Sequence, residues 1–202
     1  PFPNYRYYMH DASKIAESYS VIVTGTINIR EDVGLFHRNT EEYVFSECLF
    51  MLMGTLLITG GAGFIGSTLA NAALVDGWNV CILDNLSTGL KTTANELSAK
   101  GVEVILGDIR DKSVLDSAIQ GCDAVVHLAA QVSVPQSISN PEETMEINVT
   151  GTENVIEACL AHGVQRMVLA SSAAVYGEAQ GLPLKEKDAG VTLSPYAESK
   201  WI

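Results

Sequence analysis

Basic residues are scarce in this 202-residue chain: 12 Lys and Arg stand against 24 Asp and Glu, a formal net charge of −12. Nucleic acid and anionic membrane surfaces both call for a basic face, so neither is expected as a partner. An anionic small ligand stays compatible, because backbone N–H groups at a helix start bind phosphate even in an acidic protein. Cysteine is scarce too. Cys48, Cys81, Cys122 and Cys159 show no Cys-x-x-Cys spacing and no histidine clusters with them. That argues against a disulfide framework, a zinc site or any other metal, and leaves them as core fillers in a reducing cytoplasm. A long apolar run without glycine is also missing. Cys48 to Val75 carries no charge, but Gly54, Gly60, Gly61, Gly63 and Gly66 interrupt it. A buried strand, a glycine loop and a helix fit this stretch better than a membrane span. The opening "PFPNYRYYMHD" lacks the apolar centre of a secretory signal.

What is present is a folding composition. Hydrophobic residues make up 47% and charged residues 18%, and the length suits one domain with a small addition. Residues 1–53 differ from the rest. They are rich in Tyr and Phe, with a strand candidate in "SYSVIVTGTINIRE" and a helix or strand in "EEYVFSECLFML", but carry no motif with a mechanism. We expect an extension of unknown role there, and a domain over 54–202.

From Thr55 strands and helices alternate. "TLLITGG" predicts a strand, and "FIGSTLANAALVDG" a helix with Ile65, Leu69, Ala72 and Ala73 inward. "NVCILDN", "VEVILGDI", "DAVVHLAA" and "QRMVLASS" predict four more strands. "KTTANELSAKG" and "DKSVLDSAIQG" predict helices between them, the second capped by Asp111. "NPEETMEINVTGTENVIEACLAHG" predicts one long helix from Pro141 to Gly163. A last helix should start near Pro195. The strands are continuous apolar runs, so both sheet faces are covered. The expected fold is α/β, a doubly wound parallel sheet of Rossmann type. In such folds ligands bind at the carboxyl ends of the strands.

Those strand ends carry the candidate chemistry. Gly60, Gly63 and Gly66 follow the first strand, where backbone N–H groups and a helix start could meet a pyrophosphate; a plain structural turn is the competing reading. Asp84 follows the second strand, where a carboxylate accepts from adenosine ribose hydroxyls and repels a 2′-phosphate, favouring NAD over NADP; the alternative is a solvated turn residue before Asn85. Asp108 follows the third, placed for an adenine amino group, with Ile109 against the ring. Ala129 and Ala130 follow the fourth and leave room for a cofactor. His127 lies inside that apolar strand and fits a satisfied core histidine better than a base. Ser171 and Ser172 follow the fifth, as hydroxyl ligands for a substrate or as a cap. Tyr196 and Lys200 stand one helical turn apart. Free tyrosine, with a pKa of about 10, is a poor base near neutral pH. A lysine ammonium beside it favours the phenolate, which could take a proton from an alcohol as hydride leaves.

Taken together, residues 55–202 resemble the N-terminal part of extended short-chain dehydrogenase/reductases of the NAD-dependent epimerase/dehydratase family. The likeness is greatest to nucleotide-sugar 4-epimerases of the UDP-glucose/UDP-N-acetylglucosamine type. "TGGAGFIGS", "DNLSTG", "GDIRD", "HLAAQVSVPQSI", "INVTGTENVIEA", "SSAAVYGE" and "SPYAESK" carry it, in order. The resemblance implies NAD held by Gly60, Gly63, Phe64, Ile65, Gly66, Asp84, Asn85, Asp108, Ile109, Leu128, Ala129, Ala130, Asn148, Ser171, Tyr196 and Lys200, with Asn148 also supporting the active-site geometry. It implies Ser133, Ser172 and Tyr196 at a nucleotide-sugar substrate, Tyr196 as base, and Lys200 on the nicotinamide ribose. The implied reaction oxidises the sugar at C4 and re-reduces it from the other face. Dehydratases of the family place an Asp-Glu pair after the hydroxyl residue; Ala173 and Ala174 stand there instead. Simple reductases or dehydrogenases, and a non-catalytic NAD-binding piece, remain alternatives. Family members continue into a substrate domain and pair through a helix bundle. The resemblance therefore implies a homodimeric parent, and a 202-residue chain that is inactive alone.

Overall fold

The computed structural model describes residues 20–22, 54–178 and 183–201. Six strands form one sheet: β1 (Ser20–Ile22), β2 (Thr55–Thr59), β3 (Asn79–Asp84), β4 (Glu103–Leu106), β5 (Ala124–His127) and β6 (Arg166–Ala170). Their order is β1-β6-β5-β2-β3-β4, and every pairing is parallel. The helices are α1 (Phe64–Val75), α2 (Lys91–Ala99), α3 (Lys112–Ile119), α4 (Val134–Ser139), α5 (Pro141–Met145), α6 (Gly151–Ala161) and α7 (Pro195–Lys200).

Side-chain alternation along the strands builds two cores, one on each face. Leu57, Cys81, Leu83, Val125 and Met167 point to one face, against Leu115 and Ile119 of α3 and Val155 and Cys159 of α6. Leu56, Ile58, Val80, Ile82 and Val126 point to the other, against Leu69, Ala70 and Ala73 of α1 and Leu97 of α2. Burying one such side chain contributes about 1.5–3 kcal/mol. This is the expected doubly wound α/β fold. Burial pushes the thiols of Cys81 and Cys159 up to about 12 and that of Cys122 to about 11, which suits free core residues. Cys48 lies outside the described residues. Among the described residues no helix is long and apolar enough to cross a membrane, and no three His, Cys, Asp or Glu side chains gather as a metal site.

Three differences from the sequence reading stand out. First, α1 buries Gly66, Leu69, Ala70 and Ala73, whereas Ile65 is exposed and Ala72 half-buried. The inward face sits one residue from the expected one because Gly66 packs against the loop beneath it. Second, the long helix from Pro141 is three segments. A π-turn at Glu146–Thr150 separates α5 from α6. Third, α4 and the 3₁₀ turn Ala173–Tyr176 come from segments with no clear periodicity. Within residues 1–53, Ser20–Ile22 pairs with Val168–Ala170 as the outermost strand. The segment "EEYVFSECLFML" lies outside the described residues.

Candidate functional site

From β2 the sheet grows one way through β3 and β4 and the other way through β5 and β6, so the loops after β2 and β5 diverge at the point where such sheets open a crevice. Thr59 is level with both Leu83 and His127, so the strand ends share one edge. Gly60 sits at that point with φ +71°, a left-handed backbone, and its N–H donates to Leu83 O at 2.8 Å. A Cβ there would lie 2.8 Å from Ala129 N. A Cβ on Gly66 would collide with Gly60 O and Gly61 Cα, so the helix closes directly onto the loop. Gly63 is different: its φ is −77°, and its nearest neighbour would be Gly60 O at 3.3 Å. It begins α1 with no side-chain cap, and Phe64 beside it is 89% exposed. An uncapped helix start over a glycine loop presents N–H donors and a positive dipole end to an anion. Gly61, not anticipated from the motif, lies against Ile82.

Asp84 is buried at the end of β3. One oxygen accepts Ala62 N–H at 2.9 Å and the other Leu86 N–H at 2.8 Å, tying the glycine loop to the next loop. Each oxygen keeps a second acceptor site for a ribose hydroxyl. Leu86 takes φ +57° in that turn.

Asp108 is more occupied. Oδ1 accepts Arg110 N and Nε, both at 2.9 Å; Oδ2 accepts Arg110 Nη2 at 2.8 Å and Asn85 Nδ2 at 3.0 Å. Hydrogen bonds from Arg110 hold its carboxyl well below the usual carboxylate range. All four acceptor positions are filled, so an adenine amino group would have to displace Asn85 or Arg110. Arg110 also reaches Glu146, at the start of the π-turn, at 3.3 Å. Ile109, expected on a ligand face, is in the core: Gly151 has no side chain, and Ile109 fills that slot. Asn154 of α6 supports this loop by donating to Ile109 O at 3.4 Å.

After β5, Leu128, Ala129 and Ala130 are only partly buried at the crevice. Ser133 caps α4, accepting Gln136 N–H at 3.3 Å. Asn148, expected at the cofactor, is 1% exposed. Its Oδ1 accepts Gln131 N–H at 2.7 Å, and its Nδ2 donates to Gln131 O and Ser199 Oγ, both at 2.9 Å. With the amide so engaged, Asn148 ties the β5 loop to α7 rather than facing a ligand.

At the end of β6, Ser172 opens the 3₁₀ turn, accepting Ala174 N–H at 3.2 Å and leaving its hydroxyl hydrogen to be directed elsewhere. Ser194 caps α7 by accepting Ala197 N–H at 3.1 Å, with Pro195 at the first position. Tyr196 and Lys200, four residues apart, therefore share a face. Lys200 Nζ donates to Ala170 O at 3.3 Å, and Ser171 Oγ donates to Lys200 O at 3.0 Å. Burial lowers the Lys200 ammonium to about 8. The edge thus brings together an uncapped helix start over a glycine loop, a buried carboxylate and a Tyr/Lys helix seated on β6. Arg110, Gln131, Thr152 and Asn154 were not anticipated. A polar pair four apart inside an apolar helix, as Asn148 and Thr152 are, is the signal that could have revealed part of this set.

The profile described as the NAD dependent epimerase/dehydratase family matches residues 56–202. A UDP-glucose 4-epimerase of Halalkalibacterium halodurans is 40% identical over 147 residues, covering 72% of this chain and 42% of that protein. The UDP-glucose 4-epimerase of Thermus thermophilus, solved in complex with NAD, superposes with a TM-score of 0.67 at 41% identity, over 72% of this chain and 47% of that one. The UDP-N-acetylglucosamine 4-epimerase of Methanobrevibacter ruminantium, in complex with UDP-N-acetylmuramic acid, superposes at 0.68 and 36% identity, over 74% and 47%. This chain spans about half the length of the relatives it matches.

Proposed function

Because the chain belongs to the NAD dependent epimerase/dehydratase family, we propose that it is the cofactor-binding portion, residues 54–202, of a nucleotide-sugar 4-epimerase acting on a UDP-sugar. One observation carries the reading: the Tyr196–Lys200 helix is anchored to the end of β6 on the same edge as the uncapped α1 start. NAD fits this edge, because α1 begins at Gly63 with no side chain, where Gly60 O at 3.3 Å is the one atom, among the described residues beyond its chain neighbours, within 4 Å of a Cβ position, and Asp84 keeps two acceptor positions. The N–H groups of Phe64 and Ile65 would hold its pyrophosphate beside Gly63, whose own N–H donates to Gly60 O at 3.2 Å, and Asp84 would hold its adenosine ribose. When bound, NAD accepts and returns the hydride at the sugar C4.

The chain's own residues handle the proton and the orientation. Ser172 directs its free hydroxyl hydrogen at the reacting sugar oxygen. Tyr196 takes the proton from that hydroxyl as the C4–H bond breaks, and returns it when the 4-keto sugar is reduced from its other face. Lys200, held at Ala170 O, keeps a cation one helical turn from the Tyr196 phenol. Ala173 and Ala174 provide no acid for elimination, which supports epimerisation over 4,6-dehydration. Ser20–Ile22, within the proposed N-terminal extension, add the edge strand β1. The free buried cysteines support a cytoplasmic location. The exposed Ile138 and Leu160 support pairing of two copies in the parent enzyme.

Calorimetric titration with NAD and an assay of UDP-galactose to UDP-glucose conversion test this. The 202-residue chain should bind one NAD and show no turnover. Absence of NAD binding contradicts the cofactor assignment, and turnover by this chain contradicts the assignment of the remaining machinery to further sequence.

A further inference from the structure

His127 is fully buried, and nothing in the reaction above uses it. Its ring lies between two threonines. Nδ1 is 2.6 Å from Thr59 Oγ1 and Nε2 is 2.9 Å from Thr152 Oγ1. The neighbours decide which nitrogen carries the proton. Asn148 O can only accept, so Thr152 must donate its hydroxyl hydrogen to it, at 2.6 Å. Thr152 Oγ1 then has only lone pairs left for the ring, and Nε2 must donate. In a neutral ring Nδ1 is then an acceptor and takes the Thr59 hydroxyl hydrogen. Thr59 Oγ1 in turn accepts Ala129 N–H at 3.2 Å. The chain of bonds is directed and complete: Ala129 N–H to Thr59, Thr59 to His127, His127 to Thr152, Thr152 to Asn148 O. From Asn148 the side-chain amide continues to Gln131 and Ser199, and Ser199 Oγ donates to Tyr196 O at 2.8 Å.

We propose that His127, as the neutral Nε2–H tautomer, and Thr152 are positioning residues that lock the π-turn to the β2–glycine-loop junction and thereby set the seat of the Tyr196–Lys200 helix. The network joins the end of β2 and the loop after β5 to the π-turn and α6 through buried side chains. Its Thr152 hydroxyl bonds the Asn148 carbonyl inside the π-turn at Glu146–Thr150, so the ring of His127 reaches that turn through one side chain. The hydroxyls and ring nitrogens from Thr59 to Thr152 all have partners, and a buried chain of this kind rigidifies and specifies one arrangement; Gln131 Oε1 at its far end is buried without a partner among the described residues. Burial pushes the imidazole down to about 3, in keeping with a ring that carries a single proton.

The consequence for catalysis rests on the roles given above to Tyr196 and Lys200; the positioning itself does not. The test is made on the full 202-residue chain by two NMR measurements. Long-range ¹H–¹⁵N spectra near neutral pH should show Nε2 protonated and Nδ1 bare at His127. An Nδ1–H ring, or averaging of both forms, overturns the directed chain. Amide exchange is then compared among wild type, Thr152→Val, Thr152→Ser and His127→Leu. Thr152→Val should speed exchange of the Gln131 and Glu198 amides by roughly 5–30-fold. Thr152→Ser should restore wild-type rates, and Ala94 in α2 should be unaffected throughout. His127→Leu should match Thr152→Val where it folds. Unchanged exchange at Gln131 and Glu198, or an equal rise across the whole sheet, overturns the proposal. These outcomes hold whether or not the chain binds NAD, so failure of the cofactor reading is seen separately in the titration.

Discussion

Replacing Gly66 and Gly63 separately by alanine separates packing from ligand approach in the loop after β2. At Gly66 the backbone is helical, so alanine gains about 1 kcal/mol of helix propensity. Against that, its Cβ runs into the Gly60 carbonyl and lies 2.7 Å from Gly61 Cα. Both obstacles are backbone, in a loop already fixed by Gly60 N–H to Leu83 O. Overpacking of this kind costs about 1–3 kcal/mol, and backbone obstacles place it at the upper end. The net expectation is a loss of about 2 kcal/mol, a fall in urea midpoint of about 1 M at a slope of about 2 kcal/mol/M. At Gly63 the φ of −77° suits any residue, and the nearest atom is at 3.3 Å. Alanine there gives up only a modest N-cap preference, within about 1 kcal/mol. Its methyl group instead occupies the space proposed for the pyrophosphate. Both variants should lose at least about tenfold in NAD affinity, equivalent to about 1.4 kcal/mol. Only Gly66→Ala should lose substantial stability. Urea unfolding followed by Trp78 fluorescence, with calorimetry for NAD, reads both. A Gly66→Ala chain as stable as wild type, or a Gly63→Ala chain with unchanged affinity, would refute the reasoning.

Other expectations follow from the same geometry. Lys200 is lowered to about 8 by burial, so its charge is disfavoured in the folded state. The penalty is present below about pH 8 and disappears as pH rises to the ordinary lysine value of about 10.4. Wild-type stability should therefore rise relative to Lys200→Met across that window, and parallel pH profiles would contradict the burial. Asp108 is held low by Arg110, so its stabilisation is full above the ordinary carboxylate pKa and fades as pH falls through the lower folded value. Asp108→Asn should flatten acid unfolding at that end, measured by urea midpoints against pH. Asn148→Leu leaves Gln131 N–H, Gln131 O and Ser199 without their partner, and each buried orphan costs about 1–3 kcal/mol. That variant should unfold at much lower urea, or fail to fold. In a complete parent enzyme, Tyr196→Phe should abolish UDP-sugar interconversion and leave NAD affinity unchanged.

The parts legible in the sequence are those that a period or a turn dictates. Continuous apolar strands announced a sheet covered on both faces, and glycine spacing placed a turn at the β2–α1 junction. Asp111, Ser194 and Pro195 marked helix starts because capping is a local interaction. The hidden parts depend on partners distant in the chain. Ile109 stands in a motif that suggests a ligand face, yet Gly151, 42 residues later, leaves a slot that draws it inward. Asp108 reads as a free carboxylate until Asn85 and Arg110 are seen to fill it. Asn148 and Thr152 sit in a stretch whose helical period is unbroken. The π-turn there holds Asn148 against Gln131 and Ser199, partners 17 and 51 residues away that no local period shows. His127 was legible as a core residue, but not as a bridge.

The most direct measurement is an NMR titration of the ¹⁵N-labelled 202-residue chain with NAD. The account predicts the largest amide shifts at Gly63, Phe64, Ile65, Asp84 and Asn85. It predicts none at Gly77, Asn79 and Gly101 on the opposite edge of the sheet. No saturable shifts, or shifts centred on that opposite edge, would contradict it.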